Sequence, residues 1–150
     1  MRRPRALGAL VGLAWLGAGL AAHAQAPTVT FTAQAIEASS PKTPGRSDID
    51  AGLLGELTST FQFTQYRSLG TVSGSVRVGQ MWSASLTRAG LVFEVTPRAV
   101  DGGTITVNVR LLREGAPVVT TTLRIAAGGK VLVGGPTIPT GRIIVALTGR

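Results

Sequence analysis

The stretch DGGTITVNVRLL, from Asp101 to Leu112, indicates a β protein. After the Asp-Gly-Gly turn, every second residue from Ile105 to Leu111 is apolar, and the residues between them are polar. An alternation with a period of two is typical of a strand with one face in a core and the other in solvent. An Asp-Gly turn directly before such a run favours a hairpin with the preceding segment.

Similar patterns occur on both sides of this stretch. The turn sequences REGAP and AAGG separate three of them. The strand-like segments are PTVTFTAQAIEA, YRSLGTVSGSVRV, MWSASLT, GLVFEVTP, TITVNVRLL, VVTTTLRI, KVLV and RIIVALT. Short strands and turns at this spacing predict a mainly β fold, either an antiparallel sandwich or a partly open barrel of about eight strands.

One helix is predicted, at about residues 48–61. The loop-like sequence SSPKTPGR precedes it, Ser47 is the predicted N-cap, and Asp50 falls in the first turn. Gly52 and Gly55 weaken the helix by roughly 1 kcal/mol each relative to alanine, so we expect it to depend on packing against the sheet. Its apolar residues share one face, and they are Ile49, Leu53, Leu54, Leu57 and Phe61.

The N-terminus has the features of an export signal. Met1–Arg5 is cationic, Ala6–Ala22 is apolar, and Ala22–Ala24 reads AHA, a small-x-small cleavage site. We therefore predict a signal peptide over residues 1–24 and a single β-rich domain over 25–150, located in the periplasm or outer membrane. The alternative is an uncleaved anchor, since the apolar run is at the lower limit of length for crossing a bilayer.

The composition excludes several kinds of catalytic site. The chain has no cysteine, and its one histidine, His23, falls within the predicted signal. Residues 25–150 therefore contain no Ser-His-Asp or Cys-His triad and no histidine or thiolate metal site. We predict a protein that is not an enzyme and has no cofactor and no metal, although carboxylate spacing alone leaves a paired-carboxylate glycosidase open.

Four of the seven carboxylates have structural interpretations. Asp48 and Asp50 are expected at the start of the helix, Asp101 in a turn, and Glu94 in solvent on the face of its strand opposite Phe93. The segment Gly128–Lys130 lacks the surrounding pattern of a phosphate-binding loop, so it is interpreted as a turn. Tyr66 and Trp82 are predicted core residues, the alternative being a platform for a ligand.

The charge balance is basic, at +8 for the whole chain. Without Arg2, Arg3 and Arg5 of the predicted signal, 12 basic residues remain against 7 acidic ones, a net charge of +5. The arginines of residues 25–150 occur singly along the chain rather than in a run. This scatter disfavours nucleic-acid binding and suits solvent-facing positions on strands.

The segment from Gly90 to Gly135 resembles the C-terminal half of bacterial secretin domains, the ring-forming outer-membrane channels of secretion systems. The resemblance rests on LVFEVTPRAVDGGTITVNVRLL and TTLRIAAGGKVLVGGP. The shared elements, in order, are Val95–Pro97, Asp101–Gly103, Ile105–Leu111 and Lys130–Gly135. After Pro136 the chain departs from the secretin pattern, and it lacks the tandem periplasmic domains that precede a secretin barrel.

The resemblance implies a reduced, secretin-like or secretion-system accessory component. Its predicted partners are further copies of itself or a secretion-system protein, with association at the outer membrane and no nucleic acid. The alternative is a monomeric periplasmic binding module for a small ligand, a peptide or a glycan. No catalytic, cofactor-binding or metal-binding residue is predicted, and the interface residues are not specified.

Overall fold

A computed structural model describes residues 25–150, so the predicted signal peptide of residues 1–24 lies outside the described residues. The chain forms eight strands, one α-helix and one short 3-10 turn, Thr87–Ala89, within the described residues. The elements are β1 Thr28–Ser39, α1 Ala51–Thr60, β2 Gln65–Arg77, β3 Trp82–Leu86, β4 Leu91–Asp101, β5 Thr104–Arg113, β6 Ala116–Ala126, β7 Lys130–Ile138 and β8 Gly141–Gly149.

The strands form two antiparallel sheets of four strands each. Sheet A has the order β2-β1-β8-β7, and sheet B has the order β3-β4-β5-β6. Their inner faces pack together around a shared apolar core. The predicted β fold is confirmed, and of its two forms the protein has the sandwich.

Alternating residues of both sheets fill the space between them. In the stretch from Asp101 to Leu112, the four apolar residues of the alternation are all buried, as predicted: Ile105, Val107, Val109 and Leu111. Sheet A contributes Val29, Phe31, Ala33 and Ala35 from β1 and Ile143, Val145 and Leu147 from β8.

Helix α1 covers part of the outer face of sheet A. Its buried residues, Leu53 and Leu57, form a second apolar cluster with residues that point away from the sandwich core. The sheet residues of this cluster are Ile36, Ala38, Tyr66, Ile144 and Ala146. Because the helix covers one face and sheet B the other, β8 is buried on both faces from Ile143 to Leu147.

The predicted start of the helix is wrong. Asp50, not Ser47, is the N-cap, and its carboxylate accepts hydrogen bonds from the backbone N–H groups of Gly52 and Leu53 at 3.0 and 3.3 Å. Ser47 Oγ accepts from Tyr66 N at 3.1 Å, and Asp48 Oδ1 accepts from Ser68 N at 2.7 Å. These two side chains therefore hold the loop against β2, and the helix begins only after them.

Two predicted strand ends are also wrong. β4 continues through Pro97 to Asp101, with a shift of register between Pro97 and Ala99. β7 continues through Gly134–Pro136 to Ile138 by means of a second irregularity. In both places the strand accommodates a proline, which cannot donate a ladder hydrogen bond, where the pairing is already irregular.

The glycine turn at Gly128–Gly129 connects the two sheets rather than two paired strands. β6 lies at one edge of sheet B and β7 at one edge of sheet A. The predicted turn is present, but the hairpin of the C-terminal region is β7–β8, which pairs from Lys130–Thr148 to Ile138–Gly141.

Loops from both sheets are bonded together at the end of the sandwich where β1 begins, which we call the proximal end. Val78 N donates to Pro27 O at 2.9 Å, and Gly79 N donates to Pro97 O at 2.8 Å. On the other side of this end, Ala127 N donates to Gly103 O at 2.8 Å. The opposite end, which we call the distal end, carries the loop from β1 to α1 and the turns β3–β4, β5–β6 and β7–β8. Within residues 25–150, no helix has the length and apolar character needed to cross a bilayer.

Candidate functional site

Glu94 is not in open solvent, contrary to the prediction. Its side chain is 16% exposed, and its Oε2 lies 3.2 Å from Arg110 Nη1. The two residues face each other across β4 and β5 on the outer face of sheet B. Oε2 makes no hydrogen bond of good geometry, so its interaction with Arg110 is an ion pair only. A carboxylate paired in this way stabilises the sheet surface by a modest amount, roughly 1 kcal/mol or less.

The two aromatic residues singled out in the sequence are part of the apolar clusters. Trp82 is half-buried, with its ring centroid 6.0 Å from that of Phe93 in an edge-to-face arrangement. It also lies over Gly74 on β2, where any Cβ would meet the indole. This placement confirms the prediction that Trp82 packs on the core.

Tyr66 is completely buried beneath the helix. Its hydroxyl donates to the carbonyl oxygens of Leu57 and Phe61, each at 3.2 Å. Burial raises the pKa of Tyr66 above its usual value of 10.0, because the phenolate would lose its hydration. The hydroxyl therefore ties the end of α1 to sheet A and does not face a cavity.

A polar groove of about 470 Å³ lies at the distal end. It forms where β1 and β2 continue past the apolar core, so that Glu37, Ser39, Gln65 and Arg67 line it together with Thr140 of the β7–β8 turn. The strand register places Glu37 opposite Arg67 and Ser39 opposite Gln65.

The charged groups of the groove are not paired with each other. No ion pair joins Glu37 to Arg67 within 4.0 Å, and only two ion pairs occur among residues 25–150. Glu37 accepts a long hydrogen bond of 3.5 Å from Thr140 Oγ1, and Gln65 Oε1 accepts one of 3.1 Å from Gly45 N. The groove thus offers a carboxylate, a guanidinium, the ammonium group of Lys42 and hydroxyl groups to a polar ligand.

The groove was not predicted from the sequence, although one signal pointed to it. Val29, Phe31, Ala33 and Ala35 occupy the inward positions of β1, and Glu37 is the next residue in that alternation. A charged residue at an inward position marks the place where a strand leaves the core. The partner residues Arg67 and Thr140 are distant in sequence, so no local pattern connects them to Glu37.

The outer edge of β6 is the second candidate site. β6 is the last strand of sheet B, so every second residue directs its N–H and C=O groups away from β5. Its pairing with β5 is regular from Val119 to Ala126. Two inward residues, Val119 and Leu123, are only half-buried at the rim of the core, and Val118 is 41% exposed.

The other three sheet edges are less open to a further strand. Ser47 and Asp48 already accept from two N–H groups of β2. β3 has five residues, and β7 is irregular between Gly134 and Thr137, with Pro136 between them. Short strands, prolines and irregular pairing are the usual protection against edge-to-edge association. β6 has Pro117 and a shift of register at Val118 near its beginning, and the single charge of Arg124, so that its open part is the regular stretch from Val119 to Ala126.

The chemistry of the remaining surface gives no further site. Gly128–Lys130 is a turn, and Lys130 Nζ lies 4.0 Å from Glu56 Oε1 of α1. Across residues 25–150 there is no group of three histidine, cysteine, aspartate or glutamate residues that could hold a metal ion.

Comparison with known proteins gives no relative: the chain matches no family model, no curated protein and no solved structure.

Proposed function

We propose that this chain is an exported, non-catalytic envelope protein that acts by strand-mediated association, in the manner of a reduced secretin-like component. The observation that carries the proposal is the open edge of β6. β6 also falls inside the segment, Gly90–Gly135, on which the resemblance to secretins rests.

A second copy of the chain is the proposed partner at this edge. Antiparallel pairing of two β6 strands about a two-fold axis would join the two B sheets into one continuous sheet. The same contact would cover Val119 and Leu123, which are half-buried in the single chain. The added burial would come from apolar side chains that already stand at the rim of the core.

The charge on β6 is compatible with such a contact. If the pairing is centred on Thr121, Arg124 of each chain lies opposite the partner's Val118, so the two arginines do not face each other. The residues facing each other nearest the axis are threonines, which pair well across antiparallel strands. A second copy thus meets the edge without placing like charges in opposition.

The test is the mass of the protein in solution. The full chain is expressed with its own N-terminus, purified from the envelope with and without mild detergent, and measured by light scattering after size exclusion. Mass spectrometry of the same sample reports whether the chain begins at Gln25. We expect an oligomer of the wild-type protein.

A matched pair of variants locates the contact. Thr120→Lys with Thr122→Lys places charges on β6, and Thr71→Lys with Ser73→Lys places the same charges on β2, another edge strand. Each pair removes one cross-strand hydroxyl contact, Thr122–Asn108 at 3.0 Å or Ser73–Thr32 at 3.0 Å. We expect the β6 variant to be monomeric and the β2 variant to remain oligomeric. A monomeric wild type, or equal effects of the two pairs, would contradict the proposal.

The distal groove favours a second candidate, a monomeric binding module for a small zwitterionic ligand or a peptide terminus. Glu37 and Arg67 face each other without an ion pair, so a ligand with both charges would satisfy both groups. The test is the thermal stabilisation of the protein by a panel of amino acids and dipeptides. Stabilisation that is lost in Glu37→Gln and Arg67→Gln, and retained in Arg77→Gln, would support this function.

A further inference from the structure

Arginines that are scattered along the sequence lie together at the proximal end of the sandwich. Arg77 ends β2, Arg98 lies at the irregularity of β4, and Arg124 lies near the end of β6, and all three are exposed. The loop after β2 is bonded to β4 next to Arg98, through Gly79 N and Pro97 O. The fold thus collects at one end arginines that are far apart in the chain.

Acidic residues do little to offset this charge. Asp101, at the end of β4, lines a shallow cavity together with Arg124, and Glu56 of α1 lies 4.0 Å from Lys130 at the start of β7. Neither of the two ion pairs among residues 25–150 involves Arg77, Arg98 or Arg124. The guanidinium groups of Arg77 and Arg98 are therefore available to an anionic partner.

Exposed apolar side chains lie at the same end. Three large hydrophobic residues are exposed in residues 25–150, and two of them, Met81 (56%) and Val100 (41%), are in the loop before β3 and at the end of β4. Apolar tips beside arginines suit the boundary of a lipid bilayer, where the tips enter the acyl region and the cations contact headgroups.

The order of segments along the chain also places the proximal end near a membrane. β1 begins at the proximal end, so the apolar run Ala6–Ala22 joins the domain there, separated from β1 only by residues 23–27. The proximal end is consequently the part of the domain connected to the segment that engages a membrane during export.

From these observations we infer that the proximal end is a docking surface for an anionic phospholipid membrane. Arg77 and Arg98 contact the headgroups, and Met81 and Val100 enter the interface. The surface goes beyond association through β6 and does not require it, because Arg77, Arg98 and Met81 lie outside that strand.

Vesicle flotation tests this surface. The exported form of the full chain is mixed with vesicles of phosphatidylglycerol and phosphatidylcholine in equal parts, or of phosphatidylcholine alone. We expect binding to the anionic vesicles only. The binding should weaken as salt is raised, because the screening length falls from about 10 Å at 0.1 M to about 3 Å at 1 M.

Two double variants, each with the same loss of positive charge, test whether vesicle binding depends on this site or only on the net charge of the protein. Arg77→Gln with Arg98→Gln should weaken binding about 30-fold, since each basic residue near an anionic surface contributes about 1 kcal/mol. Arg46→Gln with Arg88→Gln removes two exposed arginines of the distal end, and should bind like the wild type. Equal losses in the two pairs, or no binding to anionic vesicles, would overturn the inference.

A second pair tests the apolar contact. Met81→Ser should weaken binding, whereas Val118→Ser, which removes an exposed apolar residue from β6, should not. The Thr120→Lys, Thr122→Lys protein should still bind vesicles, and the Arg77→Gln, Arg98→Gln protein should keep the mass of the wild type. Failure of membrane docking is thereby distinguishable from failure of association.

Discussion

Tyr66 shows what one side chain contributes to the attachment of the helix. It is the only tyrosine of the chain and is completely buried, and it donates to two carbonyl groups at the end of α1. The sequence predicted its burial because aromatic residues on a strand are usually part of the core. The two acceptors lie at the end of α1, which packs against the outer face of sheet A. The contact joins residues of two different elements, so no local sequence pattern predicted it.

We expect Tyr66→Phe to lower the free energy of unfolding by about 1–2 kcal/mol, because the carbonyl of Phe61 loses its donor, while that of Leu57 keeps the N–H of Phe61. Chemical denaturation measures this change. Tyr66→Leu serves as a comparison, since it should cost more through the additional loss of packing. An unchanged stability of Tyr66→Phe would show that water replaces the hydroxyl.

The raised pKa of Tyr66 predicts a dependence of stability on pH. The unfolded chain releases the proton near pH 10.0, while the folded chain retains it to higher pH, so stability falls as pH rises above about 10. Below that pH the contribution is fully present. Tyrosinate absorbance reads Tyr66 alone, and Tyr66→Phe should lack this part of the decline. Titration at the ordinary pKa would contradict the burial.

Gly74 provides a second prediction at the scale of single residues. A Cβ at this position would meet the indole of Trp82, so Gly74→Ala should displace the indole and cost about 1–3 kcal/mol. Trp82 is the only tryptophan in residues 25–150, and its emission should move to longer wavelength. Gly55→Ala is the control: its Cβ meets nothing within 4 Å, and alanine in a helix is favourable by up to about 1 kcal/mol.

At the scale of elements, the helix shows how tertiary contacts override a local signal. Ser47 and Asp50 are both acceptable N-cap residues, and the sequence favoured the earlier one. In the fold, Ser47 and Asp48 instead accept from N–H groups of β2, which would otherwise be unpaired at that sheet edge. The choice depends on the position of β2, which no pattern within the helix segment contains.

Replacement of the N-cap tests this assignment. Asp50→Ala should lower the free energy of unfolding by about 1 kcal/mol, because two N–H groups of the first turn lose their acceptor. Asp50→Ser keeps an acceptor and should recover most of that loss. A loss that Asp50→Ser does not recover would indicate that the carboxylate acts through its charge and not as a cap.

At the scale of the whole molecule, β1 and β8 connect two apolar clusters. Phe31 points into the sandwich core and Ile36 into the cluster beneath the helix, and Ile143 and Ile144 divide in the same way. Neither cluster can therefore be disrupted without loosening a strand of the other. We expect the domain to unfold as one unit.

Two core substitutions test this cooperativity. Phe31→Ala should cost about 3–5 kcal/mol and Leu57→Ala about 2–5 kcal/mol, since both side chains are fully buried. Trp82 fluorescence reports the sandwich core and Tyr66 absorbance the outer cluster. In each variant the two probes should change at the same denaturant concentration. Separate transitions would show that the helix-covered cluster unfolds independently.

Local patterns in the sequence predicted the positions of the strands, their inward residues and the apolar face of the helix, although not every strand end. Alternation in β5 and the spacing of Leu53 and Leu57 are local properties, set by the geometry of the backbone over a few residues. The sequence also limited the chemistry of residues 25–150, because it places no histidine or cysteine there.

The pairing of the strands and the residues that meet on each face were known only from the folded chain. The fold placed β6 and β7 at the edges of different sheets, brought Glu37 opposite Arg67, and collected Arg77, Arg98 and Met81 at the proximal end. These arrangements depend on contacts between residues far apart in the chain. Their positions follow from how the two sheets stack, and a local pattern of polar and apolar residues carries no information about that stacking.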